Sequence, residues 1–422
     1  MYCMTKLRDF QETGVDYLVK HKKVIVADEP GLGKTLESMC AVDRMNAYPC
    51  LVIAPSKLCD NWTIELDKHF PRLTHLVLRT LKEVVPVQVM MVSQDSLYKF
   101  RSYIDRYFKP KSIIIDEAHN IKEIRTRRTR AAVNIMKKLD VCFPLTGTPI
   151  INSPKELITF LAAMKLMSRF GGFVPFAVTY CEGGATQNVQ PRQLKRLHDD
   201  ISKFCYLRRT KEEVLGNFPK KTREIKPILL PINHQLYKEL DSIRELRKQG
   251  KLNALTAVSK AREAIGIAKI PYVIEEIKER LKTPGKLLVF AYHKAVQKVL
   301  SDAFEGRTVR FPSTTLGATL KQFHESASTR IAVCSLAAGA EGLTLTEADT
   351  VIFAEFGWTP KDHIQAEERS YRYGQDKDVR AIYLYIKNSL DEYMVKLINA
   401  KDKMASAAVD RKDVKNFLKT KI

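Results

Sequence analysis

Along the chain, short runs of β-branched and aliphatic residues bounded by turn formers alternate with segments whose apolar residues recur at helical spacing. Strands are expected at Val24–Ala27, Leu51–Ala54, Val87–Val92, Ile113–Ile115 and Val141–Phe143, with helices at Thr35–Asn46, Lys57–Phe70 and Thr129–Leu139 between them. Nearly continuous apolar strands separated by helical segments are the rhythm of a parallel sheet covered on both faces. After Pro149 the pattern turns mostly helical and basic until about Arg223, and the proline-interrupted stretch Lys226–Pro231 reads as a passage between halves. From Lys286 the rhythm returns, with strands at Leu287–Ala291, Ile331–Cys334, Val351–Ala354 and Ala381–Ile386 and helices at Tyr292–Phe304 and Lys361–Tyr373. The expected class is therefore α/β, with two doubly wound parallel-sheet lobes and mostly helical insertions. The N-terminal lobe is placed at 1–225 with its insertion near 150–225. The C-terminal lobe is placed at 226–422, with an insertion near 232–282 and a helical brace near 389–422.

Composition adds a sign to this picture. Seventy Lys plus Arg against 48 Asp plus Glu leave a formal charge of +22 over 422 residues, which implies a polyanionic partner. Two basic clusters stand out. Asn120 to Lys138 carries seven basic residues against the single acid Glu123, and Arg192 to Arg223 carries ten against four. No apolar run approaches the ~20 residues of a membrane span, and the N-terminus lacks the apolar core of a signal peptide. Eight cysteines without a CxxC pair read as reduced, mostly buried thiols, which points to a reducing interior, whether cytoplasm, nucleoid or nucleus.

Candidate chemistry begins at Asp28-Glu29-Pro30-Gly31-Leu32-Gly33-Lys34-Thr35, a glycine-rich turn between an expected strand and an expected helix. Such a turn aims backbone N–H groups and a helix N-terminus at a phosphate chain. Lys34 is placed on the β- and γ-phosphates of ATP and the Thr35 hydroxyl on Mg²⁺. Asp28 occupies the position where the strict phosphate-loop pattern has its first glycine. Ser112 to His119 ends a buried strand with two adjacent acids. Asp116 suits the metal, and Glu117 suits the orientation of an attacking water. Leu145-Thr-Gly-Thr-Pro149 follows the next strand and suits a link between nucleotide state and lobe position. In the second lobe, Gln365 to Gln375 puts Arg369 and Arg372 three residues apart, expected on one helix face and able to reach anionic oxygens together. Ala338 to Leu345 is a tight loop after a strand and includes Gly342.

Together these segments resemble the Swi/Snf-like family of helicase superfamily two. The match includes Leu7-Arg-Asp-Phe-Gln11, Asp28 to Thr35, Asp116-Glu-Ala-His119, Leu145 to Pro149, Leu207-Arg-Arg-Thr-Lys-Glu-Glu-Val214, and Gln365 to Gln375, in the family's order over about residues 5 to 400. Phe353 to Pro360 looks most like the branch of fork-remodelling, strand-annealing translocases. Departures occur at Pro30, Ala340, Tyr371 and Tyr373. The resemblance implies two recombinase-like lobes that use ATP and Mg²⁺ to track along double-stranded or branched DNA as a monomeric motor. It makes Gln11 the adenine-reading residue, adds Gly342 and Gln365 to the nucleotide set, and makes Arg369 and Arg372 catalytic with Lys34, Asp116 and Glu117. The basic segments after His119 and around Arg208–Arg209 are expected to face DNA. Rival readings are an RNA or DNA strand-separating helicase, the motor subunit of a restriction or defence complex, and a non-catalytic DNA-binding scaffold.

Overall fold

The computed structural model describes residues 2–81, 86–121, 123–147, 154–181, 191–216, 218–313, 315–336, 343–358 and 360–402. The chain divides into two compact units, Met1–Asn217 and Phe218–Ile422.

In the first unit, strands β1 (Ile25–Val26), β2 (Cys50–Ala54), β3 (His75–Val77), β4 (Val89–Ser93), β5 (Ser112–Ile115), β6 (Val141–Pro144) and β7 (Tyr206–Leu207) are all parallel to their neighbours. Five of them form a sheet ordered β3-β4-β2-β5-β6. β1 pairs with β7, and bridges from Lys23 to Cys142 and from Val26 to Leu145 join that pair to the β6 edge. β2 and β5 are buried at every position, as strands covered on both faces must be. Their alternate residues feed two cores, with Leu51, Ile53, Ile113 and Ile115 on one side and Val52 and Ile114 on the other.

The second unit holds β8 (Lys221–Ile228), β9 (Lys286–Ala291), β10 (Thr308–Phe311), β11 (Ile331–Ser335), β12 (Ala348–Phe353) and β13 (Val379–Ile386) in one parallel sheet ordered β10-β11-β9-β12-β13-β8. The two-lobed, doubly wound α/β class expected from the sequence is what forms. The first half of the stretch read as a passage between halves, Lys226–Ile228, is instead the end of β8, which pairs with β13 over eight residues. Pro227 lies inside it, which is tolerated because β8 is the sheet edge, where no further strand needs its missing N–H. Two helices, Gln235–Lys248 and Ala254–Leu281, fill the stretch between β8 and β9. Among the described residues, no helix is long and apolar enough to cross a membrane.

Candidate functional site

The glycine-rich turn leaves β1 and enters the helix Lys34–Arg44, with Gly33 as its N-cap. Gly31 and Gly33 have φ of 89° and 95°, the left-handed region that side chains disfavour. At Gly33 a side chain would also run into the Gln11 amide. Gln11 is buried and donates from Nε2 to the Leu32 carbonyl at 3.2 Å, while its Oε1 accepts from the Arg8 N–H at 3.2 Å. One side chain thus ties the first helix, Asp9–His21, to the floor of the turn. Lys34 Nζ bends back to the carbonyl oxygens of Asp28, at 2.7 Å, and Glu29, at 3.2 Å.

Asp116 follows the end of β5. Its carboxylate accepts from Trp62 Nε1 and from the Glu117 N–H, both at 2.9 Å. Burial pushes its pKa up, while those two donors and the nearby Lys34 ammonium hold it down. Glu117 is held at φ 46°, unusual for a residue with a side chain. Gln94 Nε2 bonds the Asp116 carbonyl at 2.7 Å and supports this turn from β4.

A relay then joins the acids to the next motif. His119 Nδ1 lies 3.1 Å from Glu117 Oε2 and 3.3 Å from Thr146 Oγ1. The Thr146 N–H donates to Val26 and the Leu145 N–H to Ile115, so this segment is laced to both β1 and β5. Gly147 leaves just enough room for Pro30, whose Cγ would be 2.9 Å from any added Cβ. Thr148 and Pro149 lie outside the described residues, as does Gly342 in the second unit.

The donor set suits a small hard cation. Thr35 offers a hydroxyl and Asp116 a carboxylate, and among the described residues no group of three His, Cys, Asp or Glu side chains gathers. Magnesium is commonly held in this way, by one or two protein oxygens with phosphate and water completing the shell.

Asp28 and Glu29, the first two residues of the expected nucleotide-binding turn, have their carboxylates turned to the chain. Asp28 is fully buried, accepts from the Arg209 N–H at 2.7 Å and is ion-paired with the Arg209 guanidinium, while Glu29 accepts from the Lys211 N–H at 2.9 Å. Arg209 also reaches the buried Glu37 at 2.6 Å and the Phe10 carbonyl. Arg208 bonds the Ala27 carbonyl at 2.9 Å. Arg209 is therefore a brace behind the phosphate loop, its guanidinium taken up by Asp28 and Glu37, while Arg208 beside it is half-buried. The other basic cluster does lie outside. Arg125, Arg127 and Arg130 are exposed, and the latter two line a shallow cavity of about 330 Å³ with Tyr98, Arg101 and Asn134.

In the second unit the helix Pro360–Glu367 stops before the arginines, so Arg369 and Arg372 sit on the turn that follows it and not on one helix face. They still converge, each guanidinium approaching the Leu343 carbonyl, at 3.4 and 3.3 Å. Gln365 is half-buried on that helix. Glu367, fully buried, anchors the helix end by pairing with Arg223 at 2.6 Å and Lys221 at 3.0 Å and by accepting from the Tyr383 hydroxyl at 2.7 Å. Sequence reasoning quoted Glu367, Arg209 and Thr146 inside motifs without their partners. Nothing local marks Trp62, Gln94 or Glu37, and Arg223 stood out only as the end of a basic cluster.

Comparison with known proteins agrees with the geometry. Residues 10–285 match the SNF2-related domain, and residues 268–374 match the helicase conserved C-terminal domain. Among curated relatives, the human protein described as DNA annealing helicase and endonuclease ZRANB3 is 28% identical over 96% of this chain and 40% of its own. The Xenopus tropicalis SWI/SNF-related matrix-associated actin-dependent regulator of chromatin subfamily A-like protein 1 is 31% identical over 96% of this chain and 45% of its own. The chain thus spans less than half the length of these relatives. A Sulfolobus solfataricus SWI2/SNF2 ATPase core solved with double-stranded DNA is 22% identical, with a TM-score of 0.47 over 96% of this chain and 92% of that one.

Proposed function

The chain belongs to the SNF2-related family, and from that premise we propose that it is a DNA-dependent ATPase that tracks along double-stranded DNA. It hydrolyses ATP to ADP and phosphate as it moves, and it works as an annealing-type remodeller of replication or repair intermediates, without separating strands. The observation that supports the chemistry is that Leu145 and Thr146 are hydrogen-bonded to both Ile115 and Val26, which brings the strand end carrying Asp116 and the strand end leading to the phosphate loop to one edge.

The roles follow from the groups. Lys34, whose ammonium donates to two loop carbonyls, is placed to donate to the β- and γ-phosphates of ATP. Thr35 and Asp116 would hold Mg²⁺, which would neutralise charge on the phosphate oxygens. Gln11 fixes the adenine side of the loop through Leu32. Glu117 orients the attacking water, and its contact with His119 leads to Thr146, so the water-positioning acid is wired to the segment that follows β6. Arg369 and Arg372 supply positive charge to the transferring phosphoryl group. Gly342 and Gln365 complete the nucleotide set. The exposed arginines at 125, 127 and 130 supply phosphate contacts to the DNA.

The test is Glu117→Gln. ATP binding is expected to persist while DNA-stimulated hydrolysis falls by about 10²-fold or more, the usual worth of a positioned acid or base. Normal turnover would remove Glu117 from the mechanism. Equal stimulation by duplex DNA, single strands and RNA would overturn the duplex reading.

A further inference from the structure

The residues before the first helix form a strap across two helices of the first unit. The N–H groups of Tyr2 and Cys3 donate to Asp43 Oδ2 at 2.7 and 3.1 Å, on the phosphate-loop helix Lys34–Arg44. The Met4 N–H donates to the His69 carbonyl at 3.0 Å, and the Thr5 hydroxyl lies 2.6 Å from His69 Nδ1, at the end of helix Cys59–His69. The strap then runs into Arg8 and Gln11, which hold the floor of the turn.

Within this strap two sulfurs meet. Cys40 Sγ, on the phosphate-loop helix, is 3.2 Å from Cys3 Sγ. Cys3 is half-buried and so open to a small oxidant, whereas Cys40 is buried behind it. From this geometry we propose that Cys3 and Cys40 form a peroxide-driven disulfide that fastens the strap to the phosphate-loop helix and slows nucleotide release.

The chemistry is balanced. The Cys3 thiolate attacks one oxygen of hydrogen peroxide, the O–O bond breaks, and a sulfenic acid and a hydroxide result; the hydroxide takes up the proton that the Cys3 thiol gave to solvent and becomes the first water. Cys40 sulfur then attacks Cys3 sulfur. The S–S bond forms, the S–O bond breaks, and the departing hydroxide takes the Cys40 proton as a second water. Closing the gap to the ~2.05 Å of a disulfide asks for a shift of about 1 Å.

Reactivity is matched to the positions. Because the Cys40 S–H donates to it, Cys3 titrates at about 7, below an ordinary thiol, so a large share is thiolate at neutral pH. Burial pushes Cys50, Cys142, Cys205 and Cys334 up to about 12 and Cys59 to about 11, which leaves them inert. Cys181, also half-buried, serves as an internal control.

The effect on nucleotide release rests on the proposed function; the disulfide itself does not. The full chain is treated with hydrogen peroxide and digested without reduction, and peptides are identified by mass. The expected result is a Cys3–Cys40 linked peptide as the main product, absent from Cys3→Ser and restored to free thiols by dithiothreitol. Release of a fluorescent ATP analogue is expected to slow severalfold on oxidation of the wild type and to be unchanged in Cys3→Ser. Sulfinic or sulfonic acid at Cys3 with no linked peptide overturns the pairing. A linked peptide with unaltered release overturns the regulatory role. Failure of the reduced wild type to bind the analogue would overturn the proposed function and leave the linkage result standing.

Discussion

Each unit fixes its catalytic segment with a buried charge cluster, but the two clusters have opposite balances. Behind the phosphate loop, the single cation Arg209 serves two fully buried carboxylates, Asp28 and Glu37. Behind the paired arginines, the fully buried carboxylate Glu367 serves two cations, Lys221 and Arg223, and the half-buried Glu368 adds a longer contact to Lys221 at 3.4 Å. The consequences appear in the acids. Burial raises Glu37 to about 8, because Arg209 is shared and Asp28 adds repulsion. Burial would also raise Glu367, yet Lys221, Arg223 and the Tyr383 hydroxyl together bring it down to about 2. A carboxylate's neighbours, counted by sign, decide whether the same depth of burial protonates or ionises it.

The largest expected break is Arg209→Ala. It leaves the Asp28 carboxylate with no exposed surface and no paired cation and takes from Glu37 its hydrogen-bond donor, and removing one partner of a buried pair commonly costs about 3–5 kcal/mol. Unfolding of the first unit should move accordingly, and ATP binding should weaken because Asp28 no longer anchors the loop. Were Arg209 a DNA contact instead, the variant would lose DNA affinity and keep its stability, so denaturant melts beside DNA titrations decide the matter.

Acid tests the other side. His363 is fully buried among Phe353, Phe356 and Tyr383, and desolvation lowers its pKa to about 4. The unfolded chain takes up that proton below about 6.5 and the folded unit only below about 4, so stability is complete above the first value and lost as pH falls towards the second. Amides of β13 should lose about 3 kcal/mol of protection across that window, by hydrogen exchange. No change between pH 7 and 4 would mean that His363 is already charged in the fold.

Much of this was legible in the chain because it is local. Every long apolar strand and the order of the motifs could be read directly, since a buried parallel strand announces itself by continuous hydrophobicity and a phosphate loop by contiguous glycines. What escaped was non-local. Arg209 lies 181 residues from Asp28, and its basic character, read without partners, looked like a DNA contact. Pro227 looked like a break because proline excludes most strand positions, and only the sheet order makes it an edge. The helix was extended past Glu367 because the residues favour helix, whereas the pairing of Glu367 with Lys221 and Arg223 ends it and turns the arginines towards Leu343.

A smaller loss is expected from Glu367→Gln. Lys221 and Arg223 keep 20% and 15% side-chain exposure, so water can take part of the charge that the acid neutralised, and the amide oxygen still accepts a hydrogen bond. About 1–3 kcal/mol of second-unit stability should go, less than at Arg209, where neither acid reaches solvent. A larger loss than for Arg209→Ala would reverse the comparison.

The smallest effect falls on Glu37→Gln, although Glu37 is as buried as Glu367. At neutral pH its carboxyl is mostly protonated, so an amide of nearly the same shape replaces a group that is already uncharged. Stability at pH 7 should change by less than about 1 kcal/mol, since no buried charge is created or orphaned. The sign of the pH dependence separates this from mere tolerance. A carboxyl with a raised folded pKa contributes stability that is complete below its unfolded value near 4.5 and lost as pH rises through about 8. The wild type should therefore lose first-unit stability between about pH 5 and 8, and Glu37→Gln should flatten that slope while leaving the acid response of β13 intact. An unflattened slope would place the ionised form of Glu37 beside Arg209 and erase the asymmetry between the two clusters.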